Sequence, residues 1–207
     1  MKRMLFALLV CALLGGPVFA VPSMGWTRGD PGSTYQVWTF NDNDNPALPE
    51  LDRNPYGTPE AAISGGGWFT SYLGRSGVWG GPGALEMSLY IPNREVRSEW
   101  KEIRLEIGYR GSISELSVDP IPDGDSVELI YQKAVRVDPT NNWWKAVYVW
   151  HIEPNPDAEI IFISASGTGG CIDYIKVDTM CIPAPGAILL GGIGIGLVGW
   201  LRKRRMV

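Results

Sequence analysis

Between residues 85 and 178, apolar and polar positions alternate along the chain. Leu85, Met87, Leu89 and Ile91 share one face against Glu86, Ser88 and Tyr90. Ile103, Leu105, Ile107 and Tyr109 alternate with Glu102, Arg104, Glu106 and Arg110, and Val127, Leu129, Tyr131, Val135 and Val137 with Glu128, Gln132 and Arg136. A period of two is that of a strand, and the polar alternate positions predict that one face of each strand meets water. Further strands are predicted over 34–40, 143–152, 159–165 and 171–178; the run at 159–165 is apolar on both faces and should be central in its sheet. Stretches rich in Pro, Asp, Asn and Gly at 119–125, 138–142, 153–157 and 167–170 predict the turns.

About seven to nine short strands at this spacing, with no helical periodicity among them, predict an all-β fold: a two-sheet antiparallel β-sandwich of jelly-roll type. Residues 21–182, about 160 in number, suffice for one such domain. Residues 42–83 show little alternation and are rich in Gly, Pro and Asn, which predicts a long loop region. Loops on a rigid sandwich are where binding residues concentrate.

The two ends have a different character. Lys2 and Arg3 precede an apolar run over 4–14, then Gly15, Gly16 and Pro17, with Val18 and Ala20 as the small residues before a cut between Ala20 and Val21. These parts, in this order, predict a signal peptide over 1–20. At the other end a nearly charge-free stretch over 184–201 is closed by Arg202, Lys203, Arg204 and Arg205. As a helix it would span about 27 Å, enough for a thin hydrocarbon core, so a transmembrane helix is predicted over 186–201. The basic cluster holds the C-terminus in the cytoplasm while the signal sends the middle outside.

The run from Ile182 through Pro183, Ala184, Pro185 and the glycine-rich apolar segment to Arg205 resembles the PEP-CTERM sorting signal of Gram-negative bacteria; such tails are also described as an ice-binding protein C-terminal motif. The resemblance covers residues 183–207, with Pro183, Ala184, Pro185, Arg202, Lys203, Arg204 and Arg205 as its motif positions. It implies an exosortase-like processing enzyme as partner, a single pass through the inner membrane before processing, and a final place in the cell envelope or an exopolysaccharide matrix. Ala184 stands where the family usually has Glu; if recognition needs that carboxylate, the chain stays an ordinary single-pass envelope protein with a protein-interaction domain.

Separating the ends from the middle changes the charge. The formal net charge of the chain is −4, but residues 21–182 hold 12 Lys and Arg against 22 Asp and Glu and so carry −10. Such a domain repels phosphate backbones, which argues against nucleic acid as a partner. One His and two Cys outside the signal segment leave little for thiolate or multi-His metal sites or for His-based triads.

Three sets of residues carry candidate chemistry. Asn41-Asp42-Asn43-Asp44-Asn45 offers the hard oxygens that calcium prefers, with Asp42 and Asp44 as ligands; the alternative is an Asx-rich turn. The strand Cys171-Ile172-Asp173-Tyr174-Ile175-Lys176-Val177-Asp178 is similar to the last strand of carbohydrate-binding jelly rolls, and that resemblance implies a structural calcium on Asp173. Regular alternation puts Asp173 on one face with Ile175 and Val177, where a carboxylate needs a cation, an Arg or backbone N–H donors. Trp68 and Trp79 sit among glycines and are candidate platforms for stacking on extracellular polysaccharide; alternatively they fold back as plugs over the end of the sandwich.

Glycoside hydrolysis would need paired carboxylates about 5–10 Å apart, drawn from Glu86, Glu102, Glu106 and Glu128, but no acid or nucleophile motif surrounds them. His151 reads as structural. Cys171 and Cys181 would stand about 33 Å apart on an extended strand, too far for a disulfide, so they pair only if the strand ends early and the chain folds back; otherwise they are free thiols or form an intermolecular bridge. The sequence therefore predicts a non-enzymatic, exported protein, possession of a sorting tail, and weak carbohydrate binding.

Overall fold

The computed structural model describes residues 25–97 and 99–183; the predicted signal peptide and transmembrane helix lie outside the described residues. All the regular elements described are strands: β1 (Ser33–Trp38), β2 (Leu51–Arg53), β3 (Glu60–Ser64), β4 (Gly67–Tyr72), β5 (Arg75–Gly81), β6 (Leu85–Pro92), β7 (Glu99–Ile121), β8 (Ser126–Asp138), β9 (Trp143–Glu153) and β10 (Ala158–Pro183). They form one antiparallel sheet. Its main path is β2-β1-β10-β7-β9-β8, while β3 pairs with β6, β4 with β5, and both β5 and β6 with β10.

The run at 159–165 is central, as its two apolar faces predict. It has β6 on one side and β7 on the other. Beyond it, β10 continues with β7 still alongside, and with β5 and then β1 on the opposite edge.

The β7–β10 ribbon doubles back on itself. Lys101 lies opposite Cys181 in the register, yet its Nζ is 2.7 Å from the carboxylate of Glu159, near the other end of β10. The crease is where Ser166 pairs with Ser112 and Cys171 with Arg110, so that 167–170 stand as an insertion opposite Gly111. Gly111, Gly167 and Gly169 have φ of 88°, 96° and 77°, a region that side chains with a Cβ rarely adopt. The predicted turn at 167–170 is thus a bulge inside one long strand: the glycines bend the ribbon without ending its pairing.

Curling of the sheet closes it around one core. Leu85, Met87, Leu89 and Ile91 of β6 meet Ile103, Leu105 and Ile107 of β7 and Ile161, Ile163, Ile175 and Val177 of β10 in a single buried cluster. The polar face predicted for each strand is the outer one. There Glu106 is met by Lys176, Lys145 and Arg104 at 3.2, 3.5 and 3.8 Å. Burial pushes the Glu106 carboxyl up, but the charges of Lys176 and Lys145 and hydrogen bonds from Lys176 and Tyr174 outweigh it and hold the group below its usual range.

Two expectations need correction. Residues 42–83 are not a long loop, since β2 to β5 lie within them. Glu60–Ser64 alternates after all, with Ala61 and Ile63 inward, and Trp38 anchors the preceding segment by donating Nε1–H to the Ala47 carbonyl at 3.1 Å. β4 and β5 form a hairpin whose two-residue turn, Leu73-Gly74, has φ of 46° and 79°, the geometry that matches strand twist. Secondly, the apolar positions of β8 do not make a buried face. β8 is at the sheet edge with register shifts between Leu129 and Tyr131 and between Arg136 and Asp138, so Leu129, Ile130 and Val137 remain exposed.

Candidate functional site

At the crease an open cleft of about 810 Å³ is lined by Phe69 and Tyr72 of β4, the 81–84 turn with Pro82, Arg110 of β7, and Ser166, Gly167 and Gly169 of the bulge. The β4–β5 hairpin brings the two rings there, with centroids 5.4 Å apart and planes tilted by 35°. Arg110 is fixed by two backbone carbonyls: Nε–H donates to Asn141 at 3.0 Å and Nη1–H to Gly169 at 3.1 Å. Its guanidinium lies 5.9 Å from the Tyr72 ring centre. Gly169 has φ of 77°, which favours glycine, and a Cβ on it would push Arg110 Nη1 out of its place.

Trp68 and Trp79 do not form this surface. They are cross-strand partners on β4 and β5, and both pack on the main core. Trp68 donates Nε1–H to the Phe40 carbonyl at 2.9 Å. Gly65 and Gly66 form the turn before β4, but Gly67, Gly80 and Gly81 belong to strands, so the two rings are not loop-borne platforms. Paired strands carry the two rings inward.

The acidic candidates are dispersed. Asp42 and Asp44 are exposed, and Asp42 Oδ1 accepts the Asp44 backbone N–H at 3.1 Å in an Asx turn. Asn45 ties the same segment to Ile63 through both its amide groups. Asp173 is the extra residue of a bulge: Ile172 pairs with Tyr109 and Tyr174 with Gly108. That insertion puts Ile172 and Ile175 in the same core, correcting the regular alternation expected across Asp173. The partner of Asp173 is Arg75, at 3.5 Å. Burial raises the Asp173 carboxyl above its usual range, and the nearby Arg75 charge only partly opposes this. Among the described residues, no three His, Cys, Asp or Glu side chains converge in a group able to hold a metal ion.

Of the four glutamates, Glu102 on β7 and Glu128 on β8 flank His151 of β9 in register. Trp100 packs on the His151 ring at 4.2 Å between centroids, and Glu102 Oε1 accepts Trp26 Nε1–H at 3.0 Å. Burial raises the Glu102 carboxyl, against the Trp26 hydrogen bond and the His151 charge. A raised carboxyl contributes stability below the ordinary carboxylate range, and loses it as pH rises through the folded value. Glu102→Gln keeps an acceptor for Trp26 and removes the charge. It should melt higher than the parent at pH 7, with the difference gone by about pH 4 in a series of melting curves. A parent that melts higher at pH 7 contradicts this.

Cys171 and Cys181 are free and buried; β10 runs unbroken between them, which settles the choice that the sequence leaves open. Pro183 is the last residue of β10, paired with Glu99, while Ala184, Pro185, Arg202, Lys203, Arg204 and Arg205 lie outside the described residues. Phe69, Tyr72 and Arg110 were not among the candidates that sequence reasoning picks out. Their signal is weak because Phe69 and Tyr72 fall in the glycine-rich stretch and Arg110 is one of several polar residues on a strand. No family model, curated protein or solved structure matches this chain.

Proposed function

We propose that the chain is an exported, non-enzymatic protein of the cell envelope or exopolysaccharide matrix, whose β-domain binds carbohydrate weakly in the crease cleft. In this reading residues 1–20 are the export signal and 183–207 a PEP-CTERM-like tail handled by an exosortase-like enzyme. The curled sheet is a jelly-roll sandwich, a reading supported by the Lys101–Glu159 contact between distant parts of one ribbon.

The observation that carries binding is the cleft lining itself. Two tilted rings offer faces for a sugar ring, Arg110 and Ser166 offer hydrogen bonds, and glycine backbone lets a ligand approach closely. The position of the chain ends adds support. Cys181 N–H bonds to the Gly32 carbonyl at 3.1 Å, so the chain enters β1 and leaves β10 at one place, away from the crease. From Cys171 to Pro183 the strand covers up to about 40 Å. A tail held in a membrane would therefore leave the cleft facing outward.

A polysaccharide-binding panel tests the reading. Phe69→Ala and Tyr72→Ala should each weaken retention about three- to tenfold; Phe69→Ala should leave the melting temperature near the parent value, whereas Tyr72→Ala should also lower it, because that ring packs on Val78, Trp143 and Cys171. Trp68→Ala should instead lower the melting temperature. Absence of binding across the panel rejects carbohydrate as the ligand. A second reading, an envelope protein that meets another protein, is favoured by β8: among the described residues it is an edge strand, and with Val127, Leu129, Ile130 and Val137 exposed it offers apolar groups to a partner.

A further inference from the structure

The positive charge in the cleft differs from most arginine charges of the domain: Arg53 and Arg136 also lack an ion pair among the described residues but are exposed, whereas Arg110 is half-buried. Arg28, Arg75, Arg94, Arg97 and Arg104 each meet a carboxylate. Arg110 meets two neutral carbonyls instead, and among the described residues no carboxylate lies within ion-pair distance of it. Those two bonds use two of the five N–H groups of a guanidinium and hold it in place without neutralising it. No Asp or Glu lines the cleft. A domain of net charge −10 has thus kept a rigid, uncompensated cation beside two aromatic rings.

We infer that the cleft selects acidic sugars: a pyranose carboxylate of the uronic-acid type seats on Arg110 while the sugar ring lies against Phe69 and Tyr72. This rests on the carbohydrate reading above and adds the ligand class. A guanidinium donates to a carboxylate through charge-assisted hydrogen bonds, stronger than those it makes to a hydroxyl. The acidic remainder of the domain repels a polyanion at long range, but at about 0.15 M salt that repulsion is screened beyond roughly 8 Å while the contact at Arg110 is not. Selection therefore depends on the cleft rather than on the net charge.

The test uses the full chain in a non-glycosidic detergent, with polygalacturonate and its fully methyl-esterified form as probes. The two have the same backbone and differ in the carboxylate charge and the methyl cap. The acidic form should bind about tenfold more tightly at 0.15 M salt, the ratio expected for one charge-assisted contact. Arg110→Gln should reduce that ratio to near one, whereas Phe69→Ala should weaken both forms alike. Equal binding of the two forms, or preference for the ester, overturns the acidic selection and leaves the carbohydrate reading intact. No binding of either form, or of any other polysaccharide, overturns both. If Arg110→Gln does not fold, the comparison of acid and ester on the parent chain still decides the selection.

Discussion

Glu159→Ala should destabilise the domain by about 3–5 kcal/mol, because it leaves the Lys101 ammonium buried without its counter-charge. Both side chains are 0 % exposed, and Nζ stands 2.7 Å from the carboxylate. Burial pushes the Glu159 carboxyl up while the charge and hydrogen bond of Lys101 pull it down. The pair is therefore a balance of two large opposed effects. Removing one partner keeps the desolvation cost of the other and loses the attraction. Removing both is different: Lys101→Met combined with Glu159→Leu should restore most of the loss or exceed the parent. Urea unfolding of the two single variants and the double variant measures this directly. A single variant within about 1 kcal/mol of the parent would mean that water or another group compensates the remaining charge.

Gly77→Ala should cost about 2–5 kcal/mol, the sum of two independent penalties. Gly77 lies on β5 with φ of 66°, where a Cβ costs about 1–2 kcal/mol. That Cβ would also overlap the backbone carbonyls of Thr39 and Phe40, which cannot swing aside as a side chain can. Overpacking of this kind adds about 1–3 kcal/mol. The substitution acts on the contact between β5 and the chain leaving β1, beside the carbonyl that accepts Trp68 Nε1–H. Gly124→Ala is the control: its φ is 101°, but nothing lies within 4 Å of the added carbon. Thermal melts should place Gly77→Ala well below Gly124→Ala. Equal melting temperatures would show that the 39–40 backbone yields.

Strand positions were legible wherever period-two alternation survived. Over β6 and the first half of β7 every second residue faces the core, so the pattern in the sequence is close to the pattern of burial; on β9 Ala146, Trp150 and Ile152 face the core, but Val147 and Val149 on the other face are buried too. Legibility fell where the chain departs from regular pleating. Asp173 is a bulge residue, and one inserted residue exchanges the faces on either side of it. The glycines at 167–170 are turn-forming residues that serve within a strand, because β7 and β6 or β5 continue alongside. β4 and β5 escaped notice because their glycines suppress the alternation that marks strands, although Trp68 and Trp79 pair across them.

The candidate site was less legible than the fold. Its rings, its guanidinium and its glycine wall come from β4, the β5–β6 turn, β7 and β10, and no short motif joins them. Trp68 and Trp79 were conspicuous in the sequence because they are large. Phe69, next to Trp68, lines the cleft instead.

By itself the sequence determined that the domain is built of antiparallel strands with a polar face, that 159–165 is central, and that Cys171 and Cys181 could pair only if the chain folded back between them. These follow from the two-residue repeat and the length of an extended residue, which are local. Only the tertiary structure decided that the β7–β10 ribbon folds over at Gly111 and the 167–170 bulge, that Lys101 meets Glu159, and that Arg110 stands beside Phe69 and Tyr72 with neutral partners. Each depends on where a bend returns one part of the chain to another, and a bend shifts register by whole residues without changing the hydrophobic pattern on either side.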